Sequence, residues 1–236
     1  MITMTGRFPH IIQLAYVIDP GRLIPHLPPF TELDFYQGNS FVSLVGLQPL
    51  DLRVFGIPVP WFRHRAQVNL RFYVRRRVYR GVWRHGVVFI RQIIPHHLVA
   101  WGARLLYNER VQTQPIDCSV QEIGHEALLV QYTWGPEKQH FIRASYRQQP
   151  LFAASPAEQD FFVDRHWGYC TQRDGSCLEY RFNHPPWKTY NCLDTDTGAA
   201  VADFYGPAFS NILGKRPDIA LGSRGSAVTL ERGSRL

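Results

Sequence analysis

An unbroken alternation of apolar and polar residues runs through Gln67–Val74, and few architectures accommodate it. Side chains of an extended strand point alternately to opposite faces. Val68, Leu70, Phe72 and Val74 therefore share one face, and Asn69, Arg71, Tyr73 and Arg75 the other. Ser40–Leu47 and the β-branched run Val87–Ile94, opened by Gly86 and closed by Pro95, read as further strands. So do Cys118–Ile123, Leu128–Trp134 and Gln139–Tyr146, joined by turns at Gly124-His125 and Gly135-Pro136. Tyr169–Cys177 and Leu178–Phe182 form a hairpin over Asp174-Gly175, and Ala227–Glu231 is a last strand.

The helices are short and scattered. Asp19-Pro20 caps one that Pro25 stops, and His97–Tyr107 packs on the sheet. Ser155-Pro156-Ala157-Glu158 is a capping box that starts a helix running to about His166, and Pro207–Leu213 ends at Gly214. Strands outnumber helices and do not alternate with them, which predicts a mainly β (α+β) domain over residues 1–236. Its mostly antiparallel sheet curls on itself, with the helices at its edges.

Charge is distributed unevenly. Leu52 to Asn108 contains eleven arginines and no Asp or Glu, whereas the remainder carries fifteen basic and nineteen acidic residues. Such a block proposes an anion-facing surface, the anion being a small ligand, a lipid or nucleic acid. The nucleic-acid reading would use Arg63, Arg65, Arg75–Arg77, Arg80 and Arg84, without any recognised motif behind it. Arg75–Arg77 also fit an outward, solvated face. No stretch approaches the ~20 apolar residues of a membrane span, and the N-terminus does not read as a secretory signal. A soluble cytoplasmic protein with four reduced thiols is expected. In the predicted hairpin register Cys177 faces Gln172, leaving Cys170 diagonal to it and out of disulfide reach.

Asn69, Arg71 and Tyr73 form a polar lining suited to a carboxylate or phosphate if their face points inward, and a solvated edge if outward. Arg104, Tyr107 and Glu109 bracket the end of the predicted 97–107 helix, where an Arg–Glu pair is a structural feature in the simplest reading. His184-Pro185-Pro186-Trp187 holds an aromatic on extended backbone, as a pocket wall or as a plug. His184 and Trp187 thus join the candidate ligand-binding residues. His64, His96 and His97 lack companions at ligand spacing, so no metal is predicted. No nucleophile elbow, phosphate loop or cofactor motif is present.

Together the segments FVSLVGLQPLDLRVFGIPVP, QVNLRFYVRR, GVVFIRQIIP, ARLLYNERV, RHWGYCTQRDGSCLEYRFNHPPW and FYGPAFSNIL resemble the YqjF-like family of the acetoacetate decarboxylase-like superfamily. They follow in order over nearly the whole chain. The resemblance implies a closed or cone-like antiparallel barrel around a central pocket. The superfamily's named enzyme uses a Schiff-base lysine activated by an adjacent lysine. That place is held here by Asn108, Glu109 and Arg110, so the resemblance does not carry the decarboxylase mechanism with it. It leaves Glu109 as a candidate general acid or base, and Arg71 and Arg104 as counter-ions for a small anionic ligand. A non-catalytic scaffold or homo-oligomerisation module is the alternative.

Overall fold

The computed structural model of the protein describes residues 2–59, 66–124 and 127–236. Arg63, His64, Arg65 and His125 lie outside the described residues. Most of the described chain is one long ribbon of strands. It starts with Ile116–Ile123, Ala127–Trp134 and His140–Arg147 and continues through Thr189–Thr197 and Ile219–Ser223. Ile11–Ile18, Ser40–Leu47, Gln67–Arg77 and Trp83–Ile94 follow, all antiparallel. A parallel step at Gly86 and Val87 then leads to Trp167–Thr171 and Cys177–Asn183. Ala227–Glu231, Ile2–Arg7 and Leu50–Val54 complete it.

The two ends of the ribbon do not pair with each other among the described residues. Among the described residues the sheet is not closed by hydrogen bonds, so of the expected closed or cone-like barrel the closed form is not shown. Closure requires matched edges, and the outer strand Ile116–Ile123 is largely exposed instead.

Gln67–Arg77 lies at the centre with both faces covered. Val68, Leu70, Phe72 and Val74 are wholly buried in the largest core cluster, against Leu14, Leu44, Val130, Tyr132 and Tyr146. Its other face meets Phe161 and Phe162. Three tyrosine rings are seated on glycines. A Cβ at Gly46, Gly222 or Gly168 would lie 2.2 Å from Tyr132, 2.2 Å from Tyr146 and 2.3 Å from Tyr180. The sheet can approach these rings so closely because those positions lack a side chain.

The helix His97–Tyr107 has the predicted bounds. The Ser155 capping box forms, but its helix is only Pro156–Glu158 followed by a π turn over Gln159–Val163, so it stops short of His166. The wider turn delivers Phe161, Phe162 and Val163 together into the core. The hairpin register differs by one residue from the prediction. Cys177 pairs with Thr171 rather than Gln172, because the loop spans 172–176. The four cysteines are free thiols. Among the described residues no helix is long and apolar enough to cross a membrane.

Candidate functional site

The polar face of Gln67–Arg77 points inward. Asn69 and Tyr73 are each 1% exposed, and neighbouring strands add Gln13 and Ser43 to the same layer. The Tyr73 hydroxyl lies 2.6 Å from Ser43 Oγ and accepts from Gln13 Nε2 at 2.7 Å. Arg71 Nη2 donates to Gln13 Oε1 at 2.8 Å and to the Phe162 carbonyl at 3.1 Å. This engages the amide on both sides and orients the guanidinium. Two atoms of the layer remain without a protein partner although buried, Asn69 Oδ1 and Arg71 Nε. Buried polar atoms of this kind are uncommon in folded proteins, because each forfeits its hydration.

Behind Tyr73 lies a pair that the sequence did not reveal. Arg165 and Asp34 are both buried and bonded at 2.5 Å, and His85 Nδ1 reaches the same carboxylate at 2.7 Å. Burial alone would raise the Asp34 pKa. The hydrogen bond from His85 and the Arg165 charge outweigh it and hold the carboxyl below its ordinary value.

Glu109 follows the helix His97–Tyr107 after Asn108, whose left-handed conformation (φ 54°) turns the chain back toward the sheet. Its carboxyl is buried and accepts hydrogen bonds from the Tyr180 hydroxyl and, at 3.1 Å, from Gln92 Nε2. Gln92 in turn accepts from Gln67 Nε2 at 2.9 Å. Burial drives the Glu109 pKa up to about 7, against the opposing pull of Tyr180, Gln92 and Arg110. A carboxyl with that value can hold or release a proton at neutral pH. Asn69 and Gln92 are opposite each other across the antiparallel ladder, so their side chains share a face. Asn69 and Arg71 on one strand thus share a sheet face with Gln92 on the next, whose amide donates to Glu109. Tyr180 and Gln92, the hydrogen-bond donors to Glu109, carry no motif that singles them out in the sequence.

The other candidates divide, Trp187 packing against the cluster that holds Tyr73. Arg104 does not pair with Glu109. Its Nε and Nη2 both donate to the Val111 carbonyl, at 3.1 Å and 2.5 Å, because the helix end places that oxygen within reach. The Tyr107 hydroxyl lies 2.8 Å from Thr3 Oγ1 and borders a cavity of about 520 Å³ with Phe55, Leu106, Leu178 and Arg232. Its ring packs edge-on to Tyr180 at 5.1 Å. His184 stacks on Trp187 at 4.2 Å, and its imidazole, lowered chiefly by burial, also feels Asp164 and Arg71. Trp187 donates to Ser226 Oγ at 2.6 Å and lines a groove of about 650 Å³ with Lys188, Tyr190 and Arg224.

The arginine block is partly neutralised by distant acids. Arg75 pairs with Glu32, and the buried carboxylate of Glu179 binds both Arg76 and Arg84. Arg75 and Arg76 are thus bonded rather than merely solvated, since the strand pairing brings acids from outside the block. The three lysines, Lys138, Lys188 and Lys215, are exposed. No cluster able to hold a metal occurs among the described residues.

The sequence profile of the DUF2071 family, an uncharacterized conserved protein, matches residues 5–227. The uncharacterized protein YqjF of Bacillus subtilis (strain 168) is 27% identical over 201 residues, covering 83% of this chain and 78% of that one. Acetoacetate decarboxylase from Legionella pneumophila superposes with a TM-score of 0.67 at 16% identity, covering 99% of this chain and 87% of its own. The enduracididine biosynthesis enzyme MppR complexed with pyruvate superposes with a TM-score of 0.61 at 12% identity, covering 100% and 91%. The chain is thus mainly β with an acetoacetate decarboxylase-like fold.

Proposed function

The chain belongs to the DUF2071 family, and from that premise we propose that its inner polar surface binds a small anionic metabolite, a carboxylate of about the size of pyruvate. One observation carries the reading: Arg71 Nε and Asn69 Oδ1 are buried and unpartnered on a face that also holds a second, ordered set of hydrogen bonds. Arg71 is the counter-ion, already oriented by Gln13 and the Phe162 carbonyl. Asn69 recognises a hydroxyl or a protonated group on the ligand. Glu109 is the proton donor or acceptor of the site, and any chemistry there proceeds through acid–base steps rather than a Schiff base. The pyruvate complex of a protein with the same fold supports an oxo acid as the first ligand to test.

The test is a calorimetric or NMR titration with pyruvate. Arg71→Ala removes a charged hydrogen-bonding partner, a loss of about 1.5–3 kcal/mol, or roughly ten- to hundredfold in affinity. Unchanged pyruvate affinity in that variant would refute the assignment. We assign no ligand contact to Arg104, which donates to the Val111 carbonyl. A nucleic-acid surface is disfavoured by the pairing of Arg75, Arg76 and Arg84 with carboxylates.

A further inference from the structure

The helix His97–Tyr107 is oriented unusually for a peripheral helix. Ala100 and Tyr107 face the protein, while Leu98, Trp101, Leu105 and Leu106 face away from it, at 66%, 61%, 61% and 50% exposure. Amphipathic surface helices normally bury their large apolar residues and expose the polar ones. The adjoining hairpin extends the face with Phe55 and Ile57, 49% and 69% exposed, and Phe55 shares a cavity with Leu106. Glycine at position 102 lies among these outward residues. A Cβ there would meet nothing within 4 Å, and no left-handed conformation requires a glycine. Glycine inside a helix weakens it, and the packing within this chain does not account for that cost.

We propose that this face is where a second copy of the chain docks, its own 97–107 helix crossing the first at Gly102. The six apolar residues expose roughly 700 Å², above the largest patch of an ordinary monomer (roughly 300–600 Å²) and close to one partner's share of a standard interface, about 800 Å². A glycine at the crossing point lets two helix backbones approach, and a two-fold axis there brings each Trp101 against the partner's apolar side chains. An anionic lipid surface fits less well. The helix carries a single arginine and no lysine, where membrane-surface helices are rich in both, and Arg104 and Arg53 each donate to a backbone carbonyl, those of Val111 and Gly56. The inference is independent of the ligand assigned to the inner surface.

Sedimentation equilibrium of the full chain, from low to high micromolar, tests it. The native protein is expected to be a dimer, and Trp101→Ser combined with Leu105→Ser to be a monomer with an unchanged circular dichroism spectrum. Gly102→Cys is expected to form a disulfide-linked dimer on oxidation where the native protein forms none, because a residue beside a two-fold axis meets its own copy. A native monomer throughout that range would overturn the proposal, as would a dimer that survives the double substitution. Failure of Gly102→Cys to cross-link a native dimer would overturn the crossing at Gly102. Pelleting of a native monomer with phosphatidylglycerol vesicles, lost in the double variant, would reassign the face to lipid.

Discussion

Glu109 concentrates the physical tension in this protein. A carboxyl surrounded by Tyr107, Tyr180 and the sheet must either lose its charge or have it stabilised by donors, and Tyr180 and Gln92 do only part of the latter. Its folded pKa, about 7, lies above the ordinary value of 4.5, so the folded state binds the proton more tightly than the unfolded chain does. The favourable contribution is therefore fully present below about pH 4.5 and is lost as pH rises through about 7, a change on the order of 3 kcal/mol. Glu109→Gln keeps the shape and removes the titration. In urea denaturation the substitution should flatten the pH dependence over this interval and make the variant the more stable protein at pH 8. A native protein whose stability rises over the same interval would contradict a buried, proton-holding Glu109.

Glycine governs the next scale, because the strands approach tyrosine rings where they have no side chain. Gly168 is the informative case. It belongs to Trp167–Thr171, pairs with Tyr180 across the hairpin, and a Cβ on it would lie 2.3 Å from that ring. Gly168→Ala must move the ring or the strand, and overpacking of this kind costs about 1–3 kcal/mol. The displaced ring would also withdraw the hydroxyl that steadies the Glu109 carboxylate, so the Glu109 pKa should rise further. Thermal unfolding checks the first effect, and carbon-detected NMR titration of the Glu109 carboxyl the second. The helix His97–Tyr107 belongs to the same scale. Its inner residues dock on the sheet, its last turn and Asn108 deliver Glu109, and its outer residues form the face assigned to a second copy.

For the molecule as a whole, Glu179 joins parts of the sheet that are far apart in the chain. It is 3% exposed and holds Arg76 and Arg84, which belong to the Gln67–Arg77 and Trp83–Ile94 strands. Its own strand, Cys177–Asn183, is joined to Trp83–Ile94 through Trp167–Thr171 and the short parallel step at Gly86 and Val87. Glu179→Gln should cost about 2–3 kcal/mol, less than the loss of a fully buried ion pair, because water reaches both arginines in part. Chemical denaturation measures this directly, and a loss no larger than that of Arg75→Gln, which breaks the exposed pair with Glu32, would show that the junction is not electrostatic.

Local pattern alone sets the strand character of Gln67–Val74, the bounds of the helix His97–Tyr107 and the caps at Asp19 and Ser155. These depend on side-chain periodicity and on hydrogen bonds within a few residues. The inner position of Asn69, Arg71 and Tyr73 was one of two readings open to that alternation, since a strand presents two faces whatever covers them. Tertiary structure chose between the readings by placing Phe161 and Phe162 over the polar face. It also decided the pairing of Arg76 with Glu179, 103 residues away, and of Glu109 with Tyr180, 71 residues away. An acid-free stretch of sequence thereby became a partly neutralised sheet, and a glutamate singled out only by resemblance became a buried acid. The energies responsible, desolvation and ion pairing, depend on which distant segments the fold brings together, and local pattern does not encode that.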